Sequence, residues 1–372
     1  GALARKGINS THSVYYGRGR KKGRRLLILL LVLLITAGVL AGGYFYLQEH
    51  IVYTADGFYF DFPFLSGKEP TTPGDVPLVV DDGSEKEEEG NKDPADKDEE
   101  ETPPKSAPTV TAMEGDLSRI GDANYRSQLM NQAWNAGCGA LVFTVKEEGG
   151  RVGIPTDSAI AQQAGSAQPY DGVAEGLTEL KEAGFSLTAR LSVCRDNIVP
   201  RALRDNALRT QSGAVWMDYD NITWLAPSSP QTGEYIGQLL TSCQSLGFDG
   251  VILSDLGYPP RGKTDLIVTD KGADKQALTT QLLQQLQQAA GEMTVTVELG
   301  DTAAQSLTDA MTGQNPMQLR EYCDALLVNA QSETDAFVQN LITQVEDGSS
   351  CRIALALPEG SALPQGRSCY LG

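Results

Sequence analysis

From residue 109 to residue 372, short β-type apolar runs alternate with longer stretches whose apolar positions recur at helical spacing, the pattern of α/β proteins with parallel strands. The predicted strands are Thr109–Glu114, Ala140–Lys146, Ser186–Val193, Gly250–Asp255, Met293–Leu299, Ala325–Asn329, Arg352–Leu357 and a short Ser368–Leu371. Helices are predicted over Tyr125–Ala136, Val173–Ala183, Thr232–Leu246, Lys275–Ala290 and Thr334–Val345. Eight strands in roughly 260 residues fit a single TIM-type β/α barrel. A doubly wound sheet competes, but no Gly-rich phosphate loop follows an early strand. The last repeat is the thinnest, because only a short Pro- and Gly-containing stretch separates the seventh and eighth strands.

Within the strands, the period-two alternation says which side chains enter the barrel. In SLTARLSV, Leu187, Ala189, Leu191 and Val193 share one face, and Thr188, Arg190 and Ser192 share the other. In MTVTVELG, Val295, Val297 and Leu299 alternate with Thr294, Thr296 and Glu298. Surrounding helices take the apolar set, so the polar set points into the lumen. Arg190 and Glu298 are thereby expected to share the C-terminal end of the lumen, where barrel enzymes place their sites. By the same parity Thr144 and Lys146 share a face, and Asn329 ends the sixth strand. A purely structural Arg–Glu pair filling a polar barrel core is the alternative.

The N-terminal part is patterned differently. Leu26 to Leu47 is a run of 22 residues without a charge, long enough as a helix to cross about 30 Å of hydrocarbon. The RGRKKGRR flank before it and Tyr44, Phe45 and Tyr46 at its far end read as a signal-anchor helix with a cytoplasmic N-terminus. A cleaved signal peptide is the alternative, since Val39 and Ala41 have the spacing of a cleavage site. Either way, the rest is expected to be extracytoplasmic. The division is a basic tail (1–25), the membrane helix (26–47), a juxtamembrane segment with an acidic Pro-rich linker (48–108) and the barrel (109–372). From Ser66 to Pro108 the linker has too little apolar surface to offset the entropy of ordering, and is expected to be a disordered spacer. An acidic tether for basic partners is the other reading.

The 372 residues carry a net charge of −18, which disfavours nucleic acid as a partner. Both histidines, His12 and His50, precede the barrel. A Ser-His-Asp triad or a His-based metal site in the barrel is thus excluded, and no metal or cofactor is expected. Its chemistry must come from carboxylates, amines, hydroxyls or thiols. The six cysteines are widely spaced, without Cys-x-x-Cys, which argues for structural use. Among possible bridges, Cys351 to Cys369 would join neighbouring strands.

The stretch FSLTARLSVCRDN, followed by GAVWMDYDNITWLAPSSPQTGEYIGQLLTSCQSLGFDGVILSDLGYP, resembles a bacterial family of glycoside-hydrolase-like barrels related to the α-amylase clan, whose activity is unassigned. The run GALVFTVKEEGGRVGIPT is similar to that family's second strand and turn. The resemblance implies a carbohydrate substrate and two carboxyl groups flanking the scissile bond. It aligns Glu298 with an acidic position on the family's fifth strand, and retains Lys146. It departs where Ser254 stands in the family's acid position, Gly257 in that of its Arg and Thr144 in that of its Asp. Asp255 lies one residue late, and can substitute only if a bulge or the strand end re-aims it. Catalysis is therefore expected from Glu298 as proton donor and Asp255 as partner, with Lys146, Arg190, Trp216, Trp224, Tyr258 and Asn329 contacting a polysaccharide. A non-catalytic glycan-binding or envelope scaffold protein, with a degenerate barrel, is the alternative.

Overall fold

The computed structural model describes two short strands at 51–54 and 57–60, paired antiparallel, and residues 109–372 apart from 365. The apolar segment at 26–47 and the acidic linker at 66–108 lie outside the described residues. Among those described, no helix is long and apolar enough to cross a membrane.

Eight parallel strands close into a barrel: β1 (Thr111–Gly115), β2 (Ala140–Lys146), β3 (Ser186–Ser192), β4 (Gly250–Ser254), β5 (Thr294–Glu298), β6 (Ala325–Asn329), β7 (Arg352–Leu357) and β8 (Cys369–Leu371). The alternation divides the side chains as the patterning implies. Leu141, Phe143, Leu187, Leu191, Val251, Leu253, Val295 and Val297 pack outward against the helices. A second apolar cluster of mostly small residues, including Ala112, Ala140, Val142, Ile252 and Ala354, fills the lumen. Small lumen side chains near the strand starts leave the C-terminal ends open for polar groups.

The outer layer includes α1 (Ala123–Asn135), α2 (Val173–Glu182), α3 (Pro230–Ser245), α4 (Lys275–Ala290) and α5 (Ala336–Val345). In α3, Ile236, Leu239, Leu240 and Cys243 are buried at the i, i+3, i+4, i+7 spacing of an amphipathic helix. Pro230 in its first turn is pre-set for helical φ. Asp274 caps α4 by accepting from the Gln276 and Ala277 amides, which supplies two otherwise orphaned donors with an acceptor.

The eighth strand has only three residues, yet it pairs with both β7 and β1. Among the described residues, no helix separates β7 from β8. Instead, Arg367 pins the returning chain, donating to the Ile353 carbonyl at 2.9 Å and pairing with Glu333 and Glu346. A Cys351–Cys369 bridge, one of the possible pairings, does not fit the register. Cys369 stands opposite Leu355, so four residues of strand, about 13 Å, separate it from the level of Cys351, beyond a disulfide's reach. All six cysteines are buried. Burial pushes the Cys194 and Cys243 thiols up to about 12, the behaviour of packed rather than reactive thiols.

Candidate active site

A cavity of about 1010 Å³ opens at the C-terminal end of the barrel, lined by Arg190, Asp255, Glu298 and Asn329 among others. The Arg190 and Glu298 side chains meet there as an ion pair, each about one-fifth exposed, as the parity argument requires. Burial pushes the Glu298 carboxyl up, Arg190 opposes this, and the charges of Asp255 and Glu114 add to the rise. Gln314 holds the end of β5 by donating to the Glu298 and Leu256 carbonyls and accepting from the Gly300 amide.

Asp255 reaches the cavity because the backbone turns sharply after β4. Its φ is +51°, a left-handed conformation that Asp tolerates better than most residues. Gly257 follows with φ +118°, where a Cβ would come within 2.3 Å of the Thr312 carbonyl oxygen. This turn is the re-aiming that a one-residue displacement demands. The Ser192 hydroxyl donates to Asp255 Oδ2 at 2.7 Å. Burial nevertheless pushes the Asp255 carboxyl up, opposed by that hydrogen bond. Ser254 also lines the cavity, its hydroxyl donating to the Leu191 carbonyl at 3.2 Å. Leu253 pairs with Val297 in the register. Asp255 is therefore one residue past the level of Glu298 on the adjacent strand, which sets the two Cα atoms about 6 Å apart.

Lys146 lines the cavity with Thr144 but is itself fully buried. The pairing register slips between Thr144 and Lys146, yet both line the same cavity. The ammonium is fully buried 6.0 Å from the Tyr235 ring centroid, donates to the Ser192 carbonyl at 2.6 Å and the Arg195 carbonyl at 3.2 Å, and pairs with Asp196 at 3.1 Å. The two carbonyls each take a hydrogen bond, whereas Asp196 Oδ2 faces the ammonium as an ion pair without a hydrogen bond of its own. Lys146 therefore fixes the end of β3, including Ser192 and thus Asp255.

The aromatic residues also separate. Trp224 and Tyr258 line the cavity. The Trp224 ring N–H donates to Asp218 at 3.2 Å, and the Tyr258 hydroxyl donates to Asp270 at 2.7 Å. Trp216 does not line the cavity; it is buried, donating to the Lys263 carbonyl at 2.9 Å. As core beneath the 259–263 loop it has no free face for a sugar. Tyr219 is exposed at the tip of the 217–223 hairpin.

Several contributors were not singled out from the sequence. Arg195 joins Asp218 at 2.9 Å, Asp220 at 2.7 Å and Glu148, and so ties the hairpin to the cavity rim. For Asp218, burial acts upward, but hydrogen bonds from the Ile222 amide, Trp224 and Arg195 outweigh it and hold the carboxyl below its usual range. Glu114, at the end of β1, faces the cavity by the same alternation that places Glu298. Of the carboxylates lining the cavity there are seven, against two bases, Lys146 and Arg190, both already paired.

Over residues 117–328, more than half of the chain, the sequence matches a family model described as "Putative glycosyl hydrolase domain". The chain belongs to this family. The matched segment of this glycosyl hydrolase family runs from the end of β1 through β6 and so contains both Asp255 and Glu298. No curated protein matches the chain. Similar solved structures include a hypothetical protein from Ruminiclostridium thermocellum, 17% identical over 50% of this chain and 96% of that one, with a TM-score of 0.46. The glycoside hydrolase domain of PelA from Pseudomonas aeruginosa is 12% identical over 69% of this chain and 85% of that one, with a TM-score of 0.39. A GH20 exo-β-N-acetylglucosaminidase from Vibrio harveyi is 10% identical over 67% of this chain and 41% of that one, with a TM-score of 0.46.

Proposed function

We propose that this chain is a membrane-anchored glycoside hydrolase whose extracytoplasmic barrel cleaves a cell-envelope or extracellular polysaccharide. The observation that carries the reading is the pairing of Asp255 and Glu298 at the ends of adjacent strands, in one cavity of a barrel of this family. Glu298 donates its proton to the glycosidic oxygen as the bond from that oxygen to the anomeric carbon breaks. Asp255, ionised, attacks the anomeric carbon or takes a proton from the water that does. Water supplies the new hydroxyl at the anomeric carbon, and the carboxyls return to their starting states. Trp224 and Tyr258, both buried, shape the cavity wall, and Arg190 and Asn329 offer donors to the sugar's hydroxyls. The excess of carboxylates in the cavity repels a polyanionic glycan and favours a neutral or amino-bearing one. The anchored placement rests on the 26–47 segment and its basic flank.

One observation favours the non-catalytic reading. Arg190 directly engages Glu298 Oε2 and opposes the protonation that a general acid needs. A screen of the full-length chain against neutral, amino and uronate polysaccharides, reading both new reducing ends and binding, separates the two. Release of reducing ends from a neutral or amino polymer supports hydrolysis. Binding without turnover supports the glycan-binding protein.

A further inference from the structure

The six cysteines are not equivalent. Cys323 and Cys351 precede β6 and β7, and their sulfurs face each other at 3.8 Å. Ala325 pairs with Arg352, and the ladder extends one residue further back, where the Arg352 amide donates to the Asp324 carbonyl at 3.0 Å. Cys323 and Cys351 therefore sit on neighbouring strands one residue out of level, with Cα atoms about 6 Å apart, inside the 4.4–6.8 Å window for a disulfide. The other thiols are directed elsewhere. Cys369 faces the Thr111 hydroxyl at 3.7 Å, Cys138 faces the Ala136 carbonyl at 4.0 Å, and Cys194 and Cys243 pack in the layer between barrel and helices.

We propose that Cys323 and Cys351 are joined by a structural disulfide that locks β6 to β7 at the base of the barrel, away from the cavity. The proposal rests on the extracytoplasmic placement, since such bonds persist in oxidising compartments. In forming it, the two thiols release two protons and pass two electrons to the disulfide of an extracytoplasmic thiol–disulfide oxidoreductase, which becomes a dithiol. A new sulfur–sulfur bond forms in this chain as the donor's breaks. The chain that joins the two residues contains β6 and α5, so the bond closes a loop of 28 residues. In the chain-entropy account, such a loop raises the unfolding temperature by about 5–15 °C. Both sulfurs are buried and burial pushes the Cys323 thiol well up. Exchange needs a thiolate, so the bond forms during folding and resists reduction afterwards.

The test uses the full chain in two arms. In the first, cells making it are treated with external protease in one portion. In the other, thiols are alkylated under denaturing conditions and the chain is cleaved after glutamate, which puts Cys323 in segment 322–333 and Cys351 in segment 347–359. The expected result is a digested barrel, and these two segments held together until a reductant separates them. In the second arm, the purified chain is refolded from denaturant with oxidised and reduced glutathione, and the same linkage is expected. Oxidised wild type should then unfold about 5–15 °C above Cys351→Ser, and reduced wild type should match that variant. A digested barrel whose Cys323 and Cys351 both carry the alkylating group overturns the disulfide while leaving the export reading intact. Protection from protease defeats the export reading instead, and the refolding arm then decides. A refolded chain that links another pair, or none, overturns the proposal.

Discussion

Replacing Lys146 by methionine keeps most of the buried stem and removes the charge. In the folded chain the ammonium meets the Ser192 and Arg195 carbonyls and the Asp196 carboxylate, with both charged side chains completely buried. Without it, Asp196 Oδ1 keeps the Ile198 and Val199 amides at 2.8 and 2.9 Å, but Oδ2 loses its cation. Breaking a buried pair from one side costs about 3–5 kcal/mol, because the partner is left as an uncompensated charge. In a barrel of this size, that corresponds to a melting temperature lower by roughly 6–20 °C. The paired change Lys146→Met with Asp196→Asn removes the stranded charge and should recover a good part of the loss. Thermal unfolding followed by circular dichroism gives the three values. If Lys146→Met costs less than about 1 kcal/mol and the double variant is no more stable, Lys146 does not hold the end of β3. If it leaves stability intact but weakens glycan binding, the residue contacts substrate after all.

Asp255→Asn should raise the melting temperature near neutral pH. The folded carboxyl titrates above its unfolded value, so its contribution is fully present below the unfolded pKa and is lost as pH rises through the folded one. The gain should vanish on acidification below about pH 4, and a variant less stable than wild type at pH 7 would contradict the burial argument. Asp218 behaves oppositely. Its carboxyl is held low, its stabilisation is present above the unfolded pKa, and it is lost as pH falls through the folded one. Asp218→Ala should therefore cost about 1–3 kcal/mol at pH 7 and little at the acid end, as checked by denaturant titration at both pH values. Isothermal titration should show no binding of polyuronates in low salt, where repulsion from the cavity is strongest; tight polyuronate binding would refute the charge argument.

Much of the barrel was readable because its strands are short, apolar and separated by helices of ordinary periodicity. β2, β6 and β7 begin and end where the apolar runs do. The ion pair of Arg190 with Glu298 was readable because both sit on strands whose alternation is unbroken. Lys146 lines the cavity as its alternation with Thr144 implies, but its burial against Asp196 could not be read, because that partner is 50 positions away and is brought to it only by the fold. Asp255 required a backbone turn that the sequence hints at only through Gly257, two residues later. Trp216 reads like an exposed loop aromatic, but its ring N–H finds the Lys263 carbonyl, 47 positions away. Arg195 was missed because its three acidic partners are scattered from Glu148 to Asp220 and are gathered only by the fold.

The account stands on Asp255 and Glu298 acting together, and comparing hydrolysis rates of wild type, Glu298→Gln, Asp255→Asn and Ser254→Ala on one polysaccharide tests it most directly. Each carboxyl variant should lower kcat/KM by about 10²–10⁴-fold or more, the scale of losing a positioned acid, base or nucleophile. Ser254→Ala should change it less than about tenfold, since its hydroxyl is committed to the Leu191 carbonyl rather than to a base that would activate it. Turnover that survives both Glu298→Gln and Asp255→Asn would show that the cavity does its chemistry with other residues.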